Sequence, residues 1–188
     1  VAGIYNNGGA NVTVTGCTFE WSYYGLRTYG SYGTYTGNTV RHTFATSMTI
    51  SEDHCTVSNN TGEDIALVPG LGESYWGYYG MHVSGATNIV RNNRIARTGN
   101  SGLFLGGSPL VEKNVISDAL MTVNDGGGIY WDSANGATIQ DNIISNVGGN
   151  MESVAADYAI NDPLGHGIYF GNAETHNIIV RRNTVSAC

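Results

Sequence analysis

A short pattern of residues recurs along this chain and constrains its fold more than any other feature. A glycine precedes an apolar strand and a turn, and a second alternating strand, an asparagine and an aliphatic pair follow. The pattern is complete at 128–144 and again at 167–185, and earlier copies begin at Gly80 and Gly102. Self-similarity with a period of about twenty residues is typical of solenoids, in which each repeat forms one coil.

The spacing of the recurring asparagines predicts seven coils with insertions on one side. The first coil carries Cys17 in place of asparagine, and the following steps are 21, 22, 33, 21, 28 and 41 residues. A step near 21 fits a minimal coil of short strands and tight turns. In each long step the additional residues follow the asparagine and its aliphatic pair. Insertions at the same position of each repeat lie on one face of a solenoid, and that face is usually the binding face. The predicted insertions are Gly62–Tyr79, Ser117–Gly127 and Ser145–His166.

The pattern predicts an all-β fold, a right-handed parallel β-helix of about seven coils in a single domain over residues 1–188. Left-handed β-helices use stricter hexapeptide turns and tolerate fewer irregular insertions. We expect aliphatic side chains to stack along the axis and asparagine amides to bond the turns of neighbouring coils. The expected asparagine ladder is Asn38, Asn60, Asn93, Asn114, Asn142 and Asn183. The expected inward residues are Ile4, Leu26, Met48, Met81, Leu103, Ile129 and Ile168, with Val14, Ile50, Val57, Val83, Ile89, Leu105, Ile139 and Val180.

Composition restricts the partners of the chain. The formal charge is −7 and Lys113 is the only lysine, so we expect neither nucleic acid nor membrane as a partner. The three cysteines do not have the spacing of metal ligands, and we expect no cofactor. The acidic turn 51–54 is compatible with a bound calcium ion, but its spacing does not indicate one. The scarcity of Lys and the many Tyr, Asn, Thr and Gly residues indicate a secreted, extracellular protein, and the missing initiator Met indicates a mature or excised piece. We expect a segment of a longer protein or of an assembly, with open ends that allow end-to-end self-association.

Two motifs carry a resemblance to a known superfamily. The segments Asp125–Tyr130 and Gly165–Phe170, with the Asn-Xaa-aliphatic coil ends, resemble the right-handed parallel β-helix proteins of carbohydrate-active, pectate-lyase-like enzymes. The first motif is similar to bacterial β-helix proteins described as glycosidases. The Gly-His-Gly around His166 resembles a polygalacturonase motif, although the paired aspartates and the Arg-Ile-Lys signature of that family are missing. The resemblance implies a polysaccharide or oligosaccharide as partner.

One outward stripe of the predicted first strands is rich in aromatic residues. The residue after each inward aliphatic faces out, and the apolar face of a sugar ring stacks on such a surface. Alternatively, the inserted loops cover these rings; the aromatic residues of the first insertion favour a glycan groove. The stripe is Tyr5, Arg27, Thr49, His82, Phe104, Tyr130 and Tyr169. The predicted substrate-binding residues are Tyr130, Tyr169, Phe104, His82, Arg27 and Trp76.

Asp132 is the principal catalytic candidate. It lies in the next outward ladder with a glycine on each side, so we expect its carboxylate to stand in an open notch. A solvated or turn-capping carboxylate is the structural alternative. The ladder is Asn7, Tyr29, Ser51, Ser84, Gly106, Asp132 and Gly171.

Glycoside hydrolysis needs a second carboxyl group, which must come from an insertion. The candidates are Asp125, Asp157 and Asp162, and turn formation is the structural alternative for Asp125 and Asp162. Asp125 is seven residues from Asp132, about 23 Å in an extended chain, so this pair requires the chain to fold back at Gly126–Gly128. Asp162 is the geometrically easier partner because it approaches from the next coil.

The sequence therefore predicts a secreted glycoside hydrolase that acts on a bound glycan. His166 is a further catalytic candidate that would orient a carboxylate or bind a sugar hydroxyl, although packing at a turn is its structural alternative. A polysaccharide lyase or epimerase is the second hypothesis. It needs a cation beside a uronate, for which Arg27 is available, but the acidic composition disfavours it. The third hypothesis is a non-catalytic glycan-binding or fibre segment of the tailspike kind.

Overall fold

The computed structural model describes residues 1–153, 162–171 and 174–188, and these form strands, turns and bends without a helix. Each coil supplies one strand to each of three seven-stranded parallel sheets. Sheet 1 consists of β1 (Ala2–Ala10), β4 (Tyr24–Ser31), β7 (Met48–Asp53), β10 (Met81–Ser84), β13 (Leu103–Leu105), β16 (Gly126–Trp131) and β20 (Gly165–Phe170). Sheet 2 consists of β2 (Thr13–Thr15), β5 (Thr34–Thr36), β8 (Thr56–Ser58), β11 (Ile89–Arg91), β14 (Leu110–Glu112), β18 (Thr138–Gln140) and β22 (Ile179–Arg181). Sheet 3 consists of β3 (Thr18–Glu20), β6 (Thr39–Thr43), β9 (Thr61–Ile65), β12 (Arg94–Thr98), β15 (Val115–Ala119), β19 (Ile143–Val147) and β23 (Thr184–Ser186).

The order of the strands confirms a parallel β-helix of seven coils. Neighbours in every sheet come from consecutive coils, and a short fourth sheet pairs β17 (Ala134–Asn135) with β21 (Thr175–His176). Coils of a parallel sheet stack about 4.8 Å apart, so seven coils make a rod roughly 30 Å long. In the described ranges there is no helix that could span a bilayer.

Aliphatic side chains fill the interior, as the repeat predicts. Leu26, Met48, Met81, Leu103 and Ile129 follow one another in register and are fully buried. Ile4 and Ile168, at the two ends of this row, are partly buried.

The predicted inward position of Ile89 is wrong by one residue. Val90 is the buried residue of that strand, and it pairs with Val57 and Val111, whereas Ile89 pairs with Thr56 and faces outward. A strand of three residues presents one inward side chain, and the adjacent pair Ile89-Val90 does not reveal which one it is.

The asparagine ladder forms as predicted. From Asn38 to Asn142, the Nδ2 group of each ladder asparagine donates to Oδ1 of the asparagine in the next coil at 2.9–3.0 Å. The same Nδ2 donates to a carbonyl of the preceding coil, for example that of Val14 for Asn38 at 3.0 Å. Cys17 occupies the first rung, where its backbone N–H donates to Asn38 Oδ1 at 3.0 Å. The ladder thus satisfies buried polar groups at one corner of every coil.

A second ladder, of glycines, lines the corner between sheet 3 and sheet 1. A Cβ built on Gly102 would lie 2.4 Å from Cγ2 of Ile116, the inward residue of sheet 3 that faces it. In the third coil the larger residue is at the corner and the glycine is on sheet 3, because Ser47 replaces the corner glycine and faces Gly62. Close approach of the two sheets therefore explains why a glycine opens nearly every repeat. The corner residues are Gly3, Gly25, Ser47, Gly80, Gly102, Gly128 and Gly167.

All three insertions leave the coil at this same corner. They comprise residues 66–80 between β9 and β10, 120–125 between β15 and β16, and 148–164 between β19 and β20. The prediction that the insertions share one phase and lie on one side is confirmed. Residues of the first two insertions border the outward face of sheet 1, where the candidate site lies.

Candidate functional site

A pocket of about 320 Å³ lies where the insertions meet the outward face of sheet 1. This volume is at the small end of the range of ligand-binding pockets. The first insertion supplies an indole and a phenol, the second a carboxylate, and strands β16 and β20 the floor. The site pocket is lined by Trp76, Tyr79, Asn100, Asp125, Tyr130, Asp132, Tyr169 and Gly171.

Tyr130, Asp132 and Tyr169 form the floor of the site pocket. Tyr130 and Tyr169 pair in register, and their rings stack at a centroid distance of 5.0 Å. The Tyr130 hydroxyl donates to Oδ1 of Asp132 at 2.5 Å. A Cβ on Gly171 would lie 2.5 Å from Tyr130 Oη, so the phenol occupies one side of the notch that was expected to be open. Asp132 thus lines the pocket with Tyr130 packed beside it.

The charge of Asp132 acts on the phenols around it. Burial, with the added effect of this carboxylate, raises the pKa of both Tyr130 and Tyr79 well above the usual range. Both hydroxyls therefore stay protonated over the physiological range and can donate hydrogen bonds. The Asp132 end of the pocket combines a carboxylate with two phenols in a partly dry environment.

Asp125 reaches the same pocket because the backbone bends at the glycines that follow it. A Cβ on Gly127 would lie 2.8 Å from the carbonyl oxygen of Ile129, a distance that an extended strand does not allow. The structure thus meets the condition of a chain folded back between Asp125 and Asp132.

Burial raises the pKa of the Asp125 carboxyl, and the positive charge of His166 opposes this shift. His166 is exposed, and its ring lies 4.7 Å from that of Tyr169. His166 is therefore placed to tune Asp125 from outside the lining of the pocket.

Asp162, the expected partner of Asp132, does not line the site pocket. Asp162 is exposed, and its backbone carbonyl accepts a hydrogen bond from Asn124 Nδ2 at 3.4 Å. The bend at Gly127 brings Asp125 to the pocket instead. Asp157 lies outside the described residues.

His82 and Phe104 lie beneath the first insertion rather than in the pocket. Tyr79 stacks on Phe104 at 4.4 Å with an interplanar angle of 8°, and its ring centroid is 6.2 Å from that of His82. Burial lowers the pKa of His82 to about 4, so its imidazole is neutral near pH 7. The inserted loop packs on these two residues and leaves them partly exposed, and their predicted contact with a sugar stays a prediction.

Arg27 holds the first insertion and does not line the site pocket. Its Nη2 lies 3.0 Å from Glu73 Oε1, and its Nε donates to the Tyr29 hydroxyl at 2.8 Å. The guanidinium also lies over the ring of Tyr24, 4.8 Å from the centroid. Arg27 therefore anchors the first insertion, and its predicted contact with a sugar stays a prediction.

Three residues of the pocket, Tyr79, Asn100 and Gly171, were not among the predicted site residues. Tyr79 belongs to the aromatic insertion, whose composition indicated a binding face without singling it out. Asn100 is buried, and its Nδ2 donates to the carbonyl of Trp76 at 3.0 Å. This bond fixes the main chain that carries the indole. The repeat pattern contains no signal for Asn100, because its partner belongs to an insertion.

Metal binding has no support within the described ranges. They contain no group of three or more His, Cys, Asp or Glu side chains placed to hold an ion. The acidic turn 51–54 instead bonds to the next coil, where Asp53 Oδ1 accepts from the Ala86 N–H at 2.6 Å.

A family model described as "Right handed beta helix region" matches residues 2–188. This description agrees with the handedness expected from the irregular insertions. The search of curated proteins finds no significant match to the chain. The search of solved structures likewise finds none. The fold is compatible with proteins that act on polysaccharides, and the chemistry must be argued from the pocket itself.

Proposed function

The chain belongs to the right-handed β-helix family, and on that basis we propose that it is an extracellular glycoside hydrolase. Its glycan substrate binds in the site pocket. The observation that supports this proposal is that two carboxyl groups, Asp125 and Asp132, line one pocket with aromatic walls. Aromatic faces stack on sugar rings, and two carboxyl groups are what glycosidic hydrolysis usually requires.

The environments of the two carboxyl groups assign their roles. Asp125 is the general acid, because burial raises its pKa and favours the protonated form. It gives its proton to the glycosidic oxygen as the bond to the anomeric carbon breaks. Asp132 is the ionised partner, which accepts a proton from the water that attacks the anomeric carbon. The hydrogen bond from Tyr130 orients this carboxylate.

The spacing of the two groups favours inversion at the anomeric carbon. Retaining enzymes hold their carboxyl groups about 5 Å apart, where two charges would perturb each other strongly. Asp125 and Asp132 lie on either side of β16, a strand of six residues, so we expect their carboxyl groups to be farther apart than this. We therefore expect the first product released to have inverted anomeric configuration, as proton NMR during early hydrolysis would show. Retention would contradict the assigned spacing.

Conservative amide variants test the assignment. Incubation with a panel of polysaccharides, followed by reducing-end release, identifies a substrate. Asp132→Asn and Asp125→Asn should then each lower kcat/KM by about 10²–10⁴-fold. Asp162→Asn is the matched control, because it changes the net charge equally but lies outside the pocket. Full activity in Asp132→Asn would refute the proposal.

The same incubations separate the competing functions. A lyase would release an unsaturated uronate that absorbs in the ultraviolet, and it needs a cation in the pocket. Among the described lining residues none is Lys or Arg, and Arg27 is paired with Glu73. Binding of a polysaccharide without release of reducing ends would replace hydrolysis by the non-catalytic reading.

A further inference from the structure

The site pocket is acidic and aromatic, and this composition bears on the charge of its ligand. Its described lining includes two carboxyl groups and four aromatic rings, without a Lys or Arg side chain. We propose that the glycan bound there carries positively charged amino groups, as a polymer of unacetylated amino sugars does. This inference rests on the proposed function, because it names the substrate class of the same pocket.

The aromatic groups suit a cation because the negative faces of their rings attract an ammonium group. Trp76 and Tyr79 come from the first insertion, and Tyr130 and Tyr169 are stacked on the floor. Asp132 lies beside these rings, and its charge is felt by the hydroxyls of Tyr79 and Tyr130. An ammonium group at this end of the pocket would meet a carboxylate and aromatic faces together.

The basic residues around the pocket do not neutralise the negative charge of its carboxyl groups. Arg27 is neutralised by Glu73 at 3.0 Å, and His82 is uncharged above a pKa of about 4. His166 acts on Asp125, at the other end of β16 from Asp132. The chain as a whole carries a formal charge of −7, which draws cationic polymers towards it and repels uronates.

The chemistry of a 2-amino sugar fits the assigned roles of the two aspartates. Its amino group is on the carbon next to the anomeric carbon, so a carboxylate that serves the anomeric carbon also lies near the ammonium group. Asp132 therefore holds the sugar and assists the attack of water. Asp125, whose raised pKa suits a proton donor, is at the opposite end of β16.

Binding to the Asp125→Asn variant tests the proposal separately from catalysis. The probes are glucosamine, N-acetylglucosamine and glucose, each as the monosaccharide and the hexamer, titrated by calorimetry with Trp76 fluorescence as a second signal. We expect the amine-bearing probes to bind about tenfold more tightly than the other two. Their affinity should fall when the ionic strength rises from about 0.01 to about 0.15 M, because the Debye length shortens from about 30 to about 8 Å.

Charge variants identify the group responsible. In the same background, Asp132→Asn should remove the preference for the amine, whereas Asp162→Asn should leave it unchanged. Equal or tighter binding of the neutral probes, or no binding of the amines, would overturn the inference. Cleavage of a neutral glycan by the wild-type protein would then leave the hydrolase proposal standing. Tight amine binding without any cleavage would support the ligand class and refute hydrolysis.

Discussion

Replacing Gly102 by alanine tests how closely sheets 1 and 3 meet at the corner. The added Cβ would lie 2.4 Å from Cγ2 of Ile116 and 2.8 Å from the carbonyl oxygen of Gly128. Ile116 is fully buried and cannot move into solvent. Overpacking of this kind costs about 1–3 kcal/mol, and we expect about 3 kcal/mol because one contact is backbone of the next coil.

Urea denaturation followed by circular dichroism measures this loss as a lower midpoint at unchanged slope. Gly148→Ala is the matched control, because a Cβ at Gly148 would have no atom within 4 Å. That control should be neutral or stabilising by about 0.5 kcal/mol.

A double-mutant cycle with Ile116→Ala locates the cause of the loss. Ile116→Ala alone should cost about 3 kcal/mol through its cavity. The double variant should be about 1–2 kcal/mol more stable than the sum of the single losses predicts, because the alanines no longer collide. The third coil already shows this exchange, since Ser47 faces Gly62. Additive losses, or a Gly102→Ala variant as stable as Gly148→Ala, would refute the packing argument.

The remaining predictions concern the asparagine ladder and two histidines. Asn114→Ala removes four side-chain hydrogen bonds at a fully buried site, so its urea midpoint should report a loss of about 3 kcal/mol or more. Asn183→Ala, at the partly exposed last rung, should cost about 1 kcal/mol, and equal losses would contradict the role of burial. His166→Ala should raise the pKa of Asp125 and move the alkaline limb of the kcat/KM profile to higher pH; a move to lower pH would disprove their coupling. Burial lowers the pKa of His82 in the folded protein, so the free energy of unfolding should fall by at most about 3 kcal/mol as the pH drops from 6.5 to about 4. His82→Gln should abolish this dependence, as urea midpoints at both ends of that range would show.

The fold of this chain was predictable because its signals are local and repeated. Each coil restates the same order of glycine, inward aliphatic and asparagine, and a parallel stack places equivalent residues in register. The ladder of Asn38 and its successors, the buried row of Leu26 and its successors, and the common phase of the insertions all follow from that periodicity. The error at Ile89 arose because this three-residue strand contains two adjacent aliphatic residues, and the repeat does not determine which of them faces inward.

The candidate site was predictable only in part, because the insertions do not obey the repeat. The sequence indicated Asp132, Tyr130 and Tyr169 through their places in register, and these line the pocket. The choice of Asp125 over Asp162 depends on a bend at Gly127, which the run of glycines 126–128 permits but does not require.

The covering of Phe104 by Tyr79, and of the neighbouring His82, depends on how the first insertion folds back. Such contacts join residues whose separation along the chain is set by loop conformation, so only the tertiary structure decides them. The sequence by itself determined the coil, its core and the side on which the insertions lie, because these follow from a period. The tertiary structure decided which side chains those insertions bury and which they leave facing a ligand.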